Sequence, residues 1–249
     1  MPHVTNQNVR LYYEVIGQGS PLLLIHGFFS GPEDWKEFGY VERLQQDYQL
    51  LLLDVRGRGA SDKPHQPEAY TLQVLIEDIV LLLDELHLPK THFIGYSMGG
   101  WLGFGMAKYA PHRLSSLMIG GAHPYARNRA HVRRQYSHPQ AAWEAQIESH
   151  PEMPPALKAR VRKNDLQALL AAAQDRADLS AVLPTISVPC LLYAGEADEA
   201  VYHQAKQAAS LIPNGTFISL PGLSHDSAYL RSDLVLPHIL NFLSSIDSP

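Results

Sequence analysis

A mostly parallel, doubly wound α/β sheet is the fold this sequence predicts, and three observations predict it. Apolar runs of strand length alternate with stretches of helical periodicity along the chain. Several of those runs, PLLLIHG (21–27) and YQLLLLDVRG (48–57) among them, are apolar at successive positions, as strands covered on both faces must be. At 249 residues and 45% hydrophobic content the chain can bury one large core, so one domain with room for an insertion is the default.

Taken in order, VRLYYEV (9–15) alternates and is followed by the turn GQGSP, which predicts a hairpin leading inward to PLLLIHG. DWKEFGYVERLQQ (34–46) has helical spacing, and YQLLLLDVRG returns as a buried strand. YTLQVLIEDIVLLLDELHL (70–88) reads as a long amphipathic helix stopped by Pro89, because proline cannot continue the backbone ladder. THFIGYS is a strand, GGWLGFGMAKYAP (99–111) a helix ended by Pro111, and RLSSLMIGGA (113–122) a strand. The rhythm then breaks. Residues 123–185 are rich in Ala, Arg, His and Pro, with helical stretches and no convincing strand, so they are the candidate insertion into a core made of 1–122 and 186–249. VPCLLYAG (188–195), a helix near 202–212, the strand TFISLPG (216–222) and a terminal helix within 232–245 resume the alternation.

Composition narrows the chemistry. The net charge of −5 with dispersed basic residues leaves no footprint for nucleic acid or an anionic membrane, which favours a small-molecule partner. Cys190 is the single cysteine, placed in an apolar run, so no disulfide framework is available. The opening residues lack a basic stretch leading into an apolar one, and no run reaches membrane-spanning length, so the cytoplasm is the expected location. Gly57 and Gly59 in DVRGRGASD follow a strand, yet Asp62 stands where a dinucleotide loop needs its third glycine, and Lys63-Pro64 follows where a helix should begin. No nucleotide, metal or organic cofactor is assigned.

The chemistry concentrates at GYSMGG (95–100). In open α/β sheets a residue on the turn from strand to helix points into the ligand crevice, and Ser97 occupies such a turn. A turn this tight crowds the side chains two before and two after the serine, so Gly95 and Gly99 relieve the clash and leave the hydroxyl exposed. Serine becomes a nucleophile only when a base takes its proton and an acid fixes the base. Downstream, GLSHD after the last strand makes His225 the base, and GEADE supplies Asp198 as the acid, with Glu196 and Glu199 as rivals. His123 and Asp226 read as structural or rim residues. Backbone N–H groups of Met98, after the nucleophile, and Phe28, in HGFF, are the candidate oxyanion donors. Phe28, Phe29 and Trp35 are candidates for the wall of an acyl pocket, while His26 and Gly27 shape the loop.

HGFF, DVRGRGASD, GYSMGG, GEAD and GLSH, in this order and spacing, resemble the α/β-hydrolase fold superfamily over essentially the whole chain. Within it the sequence is similar to the esterase, lactonase and cofactor-free haloperoxidase-like group, including 3-oxoadipate enol-lactonase-type proteins. The resemblance implies a mostly parallel eight-stranded sheet flanked by helices, a small helical cap inserted after the sixth strand, and the triad Ser97, Asp198 and His225. It implies hydrolysis of a small ester or lactone, with carbon–carbon bond hydrolysis, perhydrolysis or a ligand receptor on the same fold as alternatives. It also implies that Asp54, Arg56 and Asp62 pin loops near the site. Haloalkane dehalogenases and epoxide hydrolases use aspartate where this chain has Ser97.

Residues 121–185 hold nine Lys and Arg against six Asp and Glu, which makes the insertion basic on an acidic body. Arg127, Arg129, Arg133 and Arg134 cluster at its start. They suit either a solvated helix face or, for one or two of them, a crevice that receives a carboxylate.

Overall fold

The computed structural model describes residues 2–136 and 140–247. Strands β1 (His3–Asn6), β2 (Val9–Ile16), β3 (Ser20–Ile25), β4 (Tyr48–Leu53), β5 (Thr91–Tyr96), β6 (Leu114–Gly120), β7 (Cys190–Gly195) and β8 (Gly215–Leu220) form one eight-stranded sheet. Its order is β1-β2-β4-β3-β5-β6-β7-β8, antiparallel at β1–β2 and β2–β4 and parallel elsewhere.

The hairpin predicted between residues 9–15 and 21–27 does not form. β2 pairs instead with β1, through a tight turn at Gln7 and Asn8 with φ of 50° and 64°, and with β4. β3 sits beyond β4, between β4 and β5. The reason lies in the residues: Leu22 to Ile25 are all buried and need cover on both faces, which only a central position supplies, whereas the alternating β2 tolerates one wetter face.

The helices of the body are α1 (Pro32–Glu37), α2 (Tyr40–Leu44), α3 (Leu72–Glu85) and α4 (Met98–Tyr109). The single helix predicted over 34–46 is two, because Gly39 between them takes φ +83° and breaks the ladder. Between β6 and β7 the chain forms α5 (Ala130–Tyr136), α6 (Gln140–Glu148), α7 (Pro155–Arg162) and α8 (Leu166–Ala172), then a short 3₁₀ turn over Ser180–Thr185. After β7 come α9 (Tyr202–Ser210), α10 (Ser227–Leu230) and α11 (Ser232–Asp247).

Side chains of the central strands divide between two cores, one on each face. Leu23, Ile25, Leu51, Leu53, Phe93 and Leu117 pack on one side with α3 and α4. Leu22, Leu24, Leu50, Leu52, Ile94 and Met118 pack on the other with α1, α2 and α11. Cys190 is buried at the base of β7, and burial pushes its thiol pKa up. Among the described residues no helix is long and apolar enough to cross a membrane.

The DVRGRGASD stretch ties loops to the sheet. Arg56 holds Asp78 through Nε–Oδ2 and Nη2–Oδ1 contacts of 2.6 and 2.5 Å, and both side chains are buried. Asp62 accepts from the backbone N–H of Arg10 at 2.8 Å, and Asp54 accepts from that of Ala60 at 2.8 Å. The stretch between β6 and β7 is fastened to the body by Arg160, which pairs with the buried Asp34 and with Glu37 at 2.5 Å, and by Asn164, which donates to the Phe29 carbonyl at 3.0 Å.

Candidate active site

Ser97 sits on the turn from β5 to α4 with φ 53° and ψ −104°, a conformation side-chain-bearing residues rarely adopt. The turn is held by the Ser97 N–H, which donates to the Gly120 carbonyl at 2.8 Å. Its flanks leave no room for side chains. A Cβ on Gly95 would lie 2.3 Å from the Gly99 carbonyl carbon, and one on Gly99 would lie 2.0 Å from the Ile25 carbonyl oxygen.

His225 Nε2 lies 3.0 Å from Ser97 Oγ, and Nδ1 lies 2.5 Å from Asp198 Oδ2. The three side chains come from loops after β5, β7 and β8, so the parallel strands bring their carboxyl ends to one place. Asp198 is buried, and its backbone carbonyl takes the N–H groups of Val201 and Tyr202, which fixes the loop. The rival acids lie elsewhere: Glu196 is exposed and accepts from Ser219 Oγ at 2.6 Å, and Glu199 is exposed. Tyr96, buried under the histidine, donates its hydroxyl to the His225 backbone carbonyl at 2.5 Å.

The loop after β3 lies beside the serine. His26 is buried, and burial lowers its pKa to about 4, so the ring is neutral. Its Nδ1–H donates to the Gly27 carbonyl at 2.8 Å and its Nε2 accepts from the Val55 N–H at 3.3 Å. Two guanidinium groups lie over the Phe28 ring, Arg129 at 4.2 Å and Arg58 at 4.6 Å from its centroid. Arg58 Nε also donates to the Phe28 carbonyl at 2.6 Å.

A cavity of about 420 Å³ opens above Ser97, Asp198 and His225 and is lined also by Phe28, Phe29 and Tyr229. Trp35 is a correction: it is fully buried in the core on the other face of the sheet, edge-on to Tyr40 and Tyr229 at 4.9 and 5.1 Å, and does not line the cavity. Met98 lines a separate cavity together with Trp101 and is absent from the lining of the one above Ser97. Asp226 lies on the rim, 3.1 Å from His150 Nδ1. His123 lies off this cavity, and burial lowers its pKa to about 4.

Of the four clustered arginines, Arg127 and Arg129 line the cavity, whereas Arg133 turns outward to Asp175 at 2.7 Å. A further arginine, Arg176, joins the first two in the cavity wall and had no signal of its own in the sequence. Among the described residues no three His, Cys, Asp or Glu side chains converge on a point that could hold a metal ion.

Residues 22–237 match the model of the alpha/beta hydrolase family. The 3-oxoadipate enol-lactonase 2 of Acinetobacter baylyi is 30% identical over 213 residues, which cover 78% of this chain and 78% of that protein. The bifunctional epoxide hydrolase 2 of Sus scrofa is 37% identical over 111 residues, 44% of this chain, and the match spans 20% of that longer protein. Among solved structures, the enol-lactonase from Burkholderia xenovorans has a TM-score of 0.86 at 23% identity, covering 98% of this chain and 100% of that one, a likeness of fold.

Proposed function

This chain belongs to the alpha/beta hydrolase family, and on that premise we propose that it hydrolyses a small carboxylic ester or lactone through an acyl-enzyme on Ser97. The observation that supports this reading is the hydrogen-bonded run from Ser97 Oγ through both nitrogens of His225 to Asp198.

In this mechanism His225 Nε2 takes the hydroxyl proton as Ser97 Oγ attacks the carbonyl carbon. Asp198 keeps the other imidazole proton on Nδ1, so the lone pair faces the serine, and it stabilises the imidazolium that forms. Backbone N–H groups of Phe28 and Met98 receive the oxyanion of the tetrahedral intermediate. The imidazolium returns its proton to the leaving oxygen, which departs as the alcohol, and leaves an ester on Ser97. Water then repeats the sequence with His225 as base and frees the acid. The helices between β6 and β7, within 123–185, serve as the cap over this cavity, and Phe28 and Phe29 form its apolar wall.

Treatment with a fluorophosphonate followed by mass spectrometry tests the assignment, with the label expected on Ser97. Ser97→Ala should lose label and on the order of 10³-fold or more in kcat while remaining folded. A label on another serine, or undiminished turnover in Ser97→Ala, would overturn it.

A further inference from the structure

Arg127 and Arg176 are joined by a two-way backbone bridge, N–H to carbonyl at 3.0 Å in one direction and 2.9 Å in the other, the isolated antiparallel contact of this region. Residues directly opposite in such a pair send their side chains to the same side, and like charges placed there repel. Both side chains line the cavity that holds Ser97, and Arg129, two positions along from Arg127, lines it as well.

Elsewhere in the same region arginines meet carboxylates: Arg133 meets Asp175, Arg160 meets Asp34 and Glu37, and Arg162 meets Glu144 and Glu148. Among the described residues neither Arg127 nor Arg176 has an ion pair, and Arg176 Nε is buried without a hydrogen-bond partner. Its guanidinium rests over the Trp101 ring, 4.8 Å from the centroid, which fixes its plane. Burial first, then repulsion from Arg129 and Arg127, holds the Arg176 pKa well below the usual arginine range.

The carboxylates nearby are occupied. Asp198 holds His225, Asp226 contacts His150 across the rim, and Asp178 accepts from Ser180 and from the Ala126 N–H. Guanidinium groups from a directly opposed pair at a cavity wall, one of them with its Nε buried and unsatisfied, are a cost that an anion in the cavity would reduce.

We propose that the substrate carries a second group that is anionic, a carboxylate or a phosphate remote from the scissile carbonyl, and that Arg127 and Arg176 receive it. This rests on the ester-hydrolase reading above. Arginine fits the role because its planar fork binds two oxygens at once, and an anion beside Arg176 would favour its charged form.

The test compares kcat/KM for monoethyl glutarate and ethyl pentanoate, in which a methyl group replaces the remote carboxylate. The charged ester should be favoured at least about tenfold, less so as ionic strength rises. Arg127→Ala and Arg176→Met should each collapse that ratio whatever they do to the absolute rates, and Arg127→Lys should restore part of it. Arg162→Ala, on the outer face, should leave the ratio as it is. Glutarate and inorganic phosphate, each at constant ionic strength, are added as competitors of ethyl pentanoate. The stronger one names the anion, and competition should vanish in Arg176→Met. Ser97-dependent turnover of both esters with no preference, or with a preference that survives both arginine variants, overturns this inference and leaves the hydrolase reading standing. Turnover of neither ester, or turnover independent of Ser97, overturns the hydrolase reading and this inference with it.

Discussion

Two buried ionisable groups of the sheet body carry no unmet charge: Arg56 is matched by Asp78, and His26 is held neutral between a carbonyl and an N–H. In the stretch between β6 and β7, Arg176 is placed beside Arg127 and Arg129, and among the described residues it has no ion pair with a carboxylate. The first arrangement minimises the cost of taking polar groups out of water. The second retains that cost at the wall of the cavity. An apolar side chain at that position would avoid the cost, so the contrast sets groups that are matched within the fold against groups that are not.

The largest expected effect falls in the body. Arg56→Ala strands the Asp78 carboxylate, and the loss should be about 3–5 kcal/mol by urea denaturation. The double variant Arg56→Met, Asp78→Leu should recover most of it, since an apolar pair needs no compensation. A loss below about 1 kcal/mol in the single variant would mean that the pair is not what holds this loop.

A smaller effect belongs to Asp54, whose pKa is pushed up to about 6 from 3.8, chiefly by burial. The folded protein therefore binds its proton more tightly than the unfolded chain, so between those two values stability falls as pH rises. Asp54→Asn keeps an acceptor for Ala60 and removes the penalty. Its advantage over the parent should grow from near zero below pH ~4 to about 2–3 kcal/mol at pH ~7. Parallel stability curves for the two proteins across that range would show that Asp54 does not titrate in this way.

The smallest effect is opposite in sign to the first. Arg127→Ala should leave stability unchanged or raise it by about 0.2–1 kcal/mol, because it removes a like-charge cross-strand contact. A clear loss of stability would erase the distinction between the two regions.

The body was readable because its signals are local. Leu22 to Ile25 and Leu50 to Leu53 declare buried strands by being apolar at every position, and Pro89 and Pro111 punctuate helices. GYSMGG marks a turn because two glycines are spatial necessities there. β1 escaped notice because HVTN is four residues long with Val4 its one apolar residue, and losing it misassigned the partner of β2. Trp35 reads as a cavity wall on its chemistry, but it is fully buried beneath Tyr229, edge-on to that ring, and Tyr229 is the one of the two that reaches the cavity. Arg176 could not be read because its meaning depends on Arg127, forty-nine positions earlier, and only the backbone bridge brings them together.

The backbone of Ser97, at φ 53° and ψ −104°, has a consequence for heat tolerance. A residue with a Cβ held there costs on the order of 1–3 kcal/mol, which glycine would not incur. Ser97→Gly should therefore melt at a higher temperature than Ser97→Ala in calorimetry, though neither would turn over an ester. A lower midpoint for the glycine variant would show that the turn is relaxed as it stands. A breeder selecting variants of this protein for survival at high temperature alone would be led to discard Ser97 early, and only a screen that also demands the activity proposed for it would keep it.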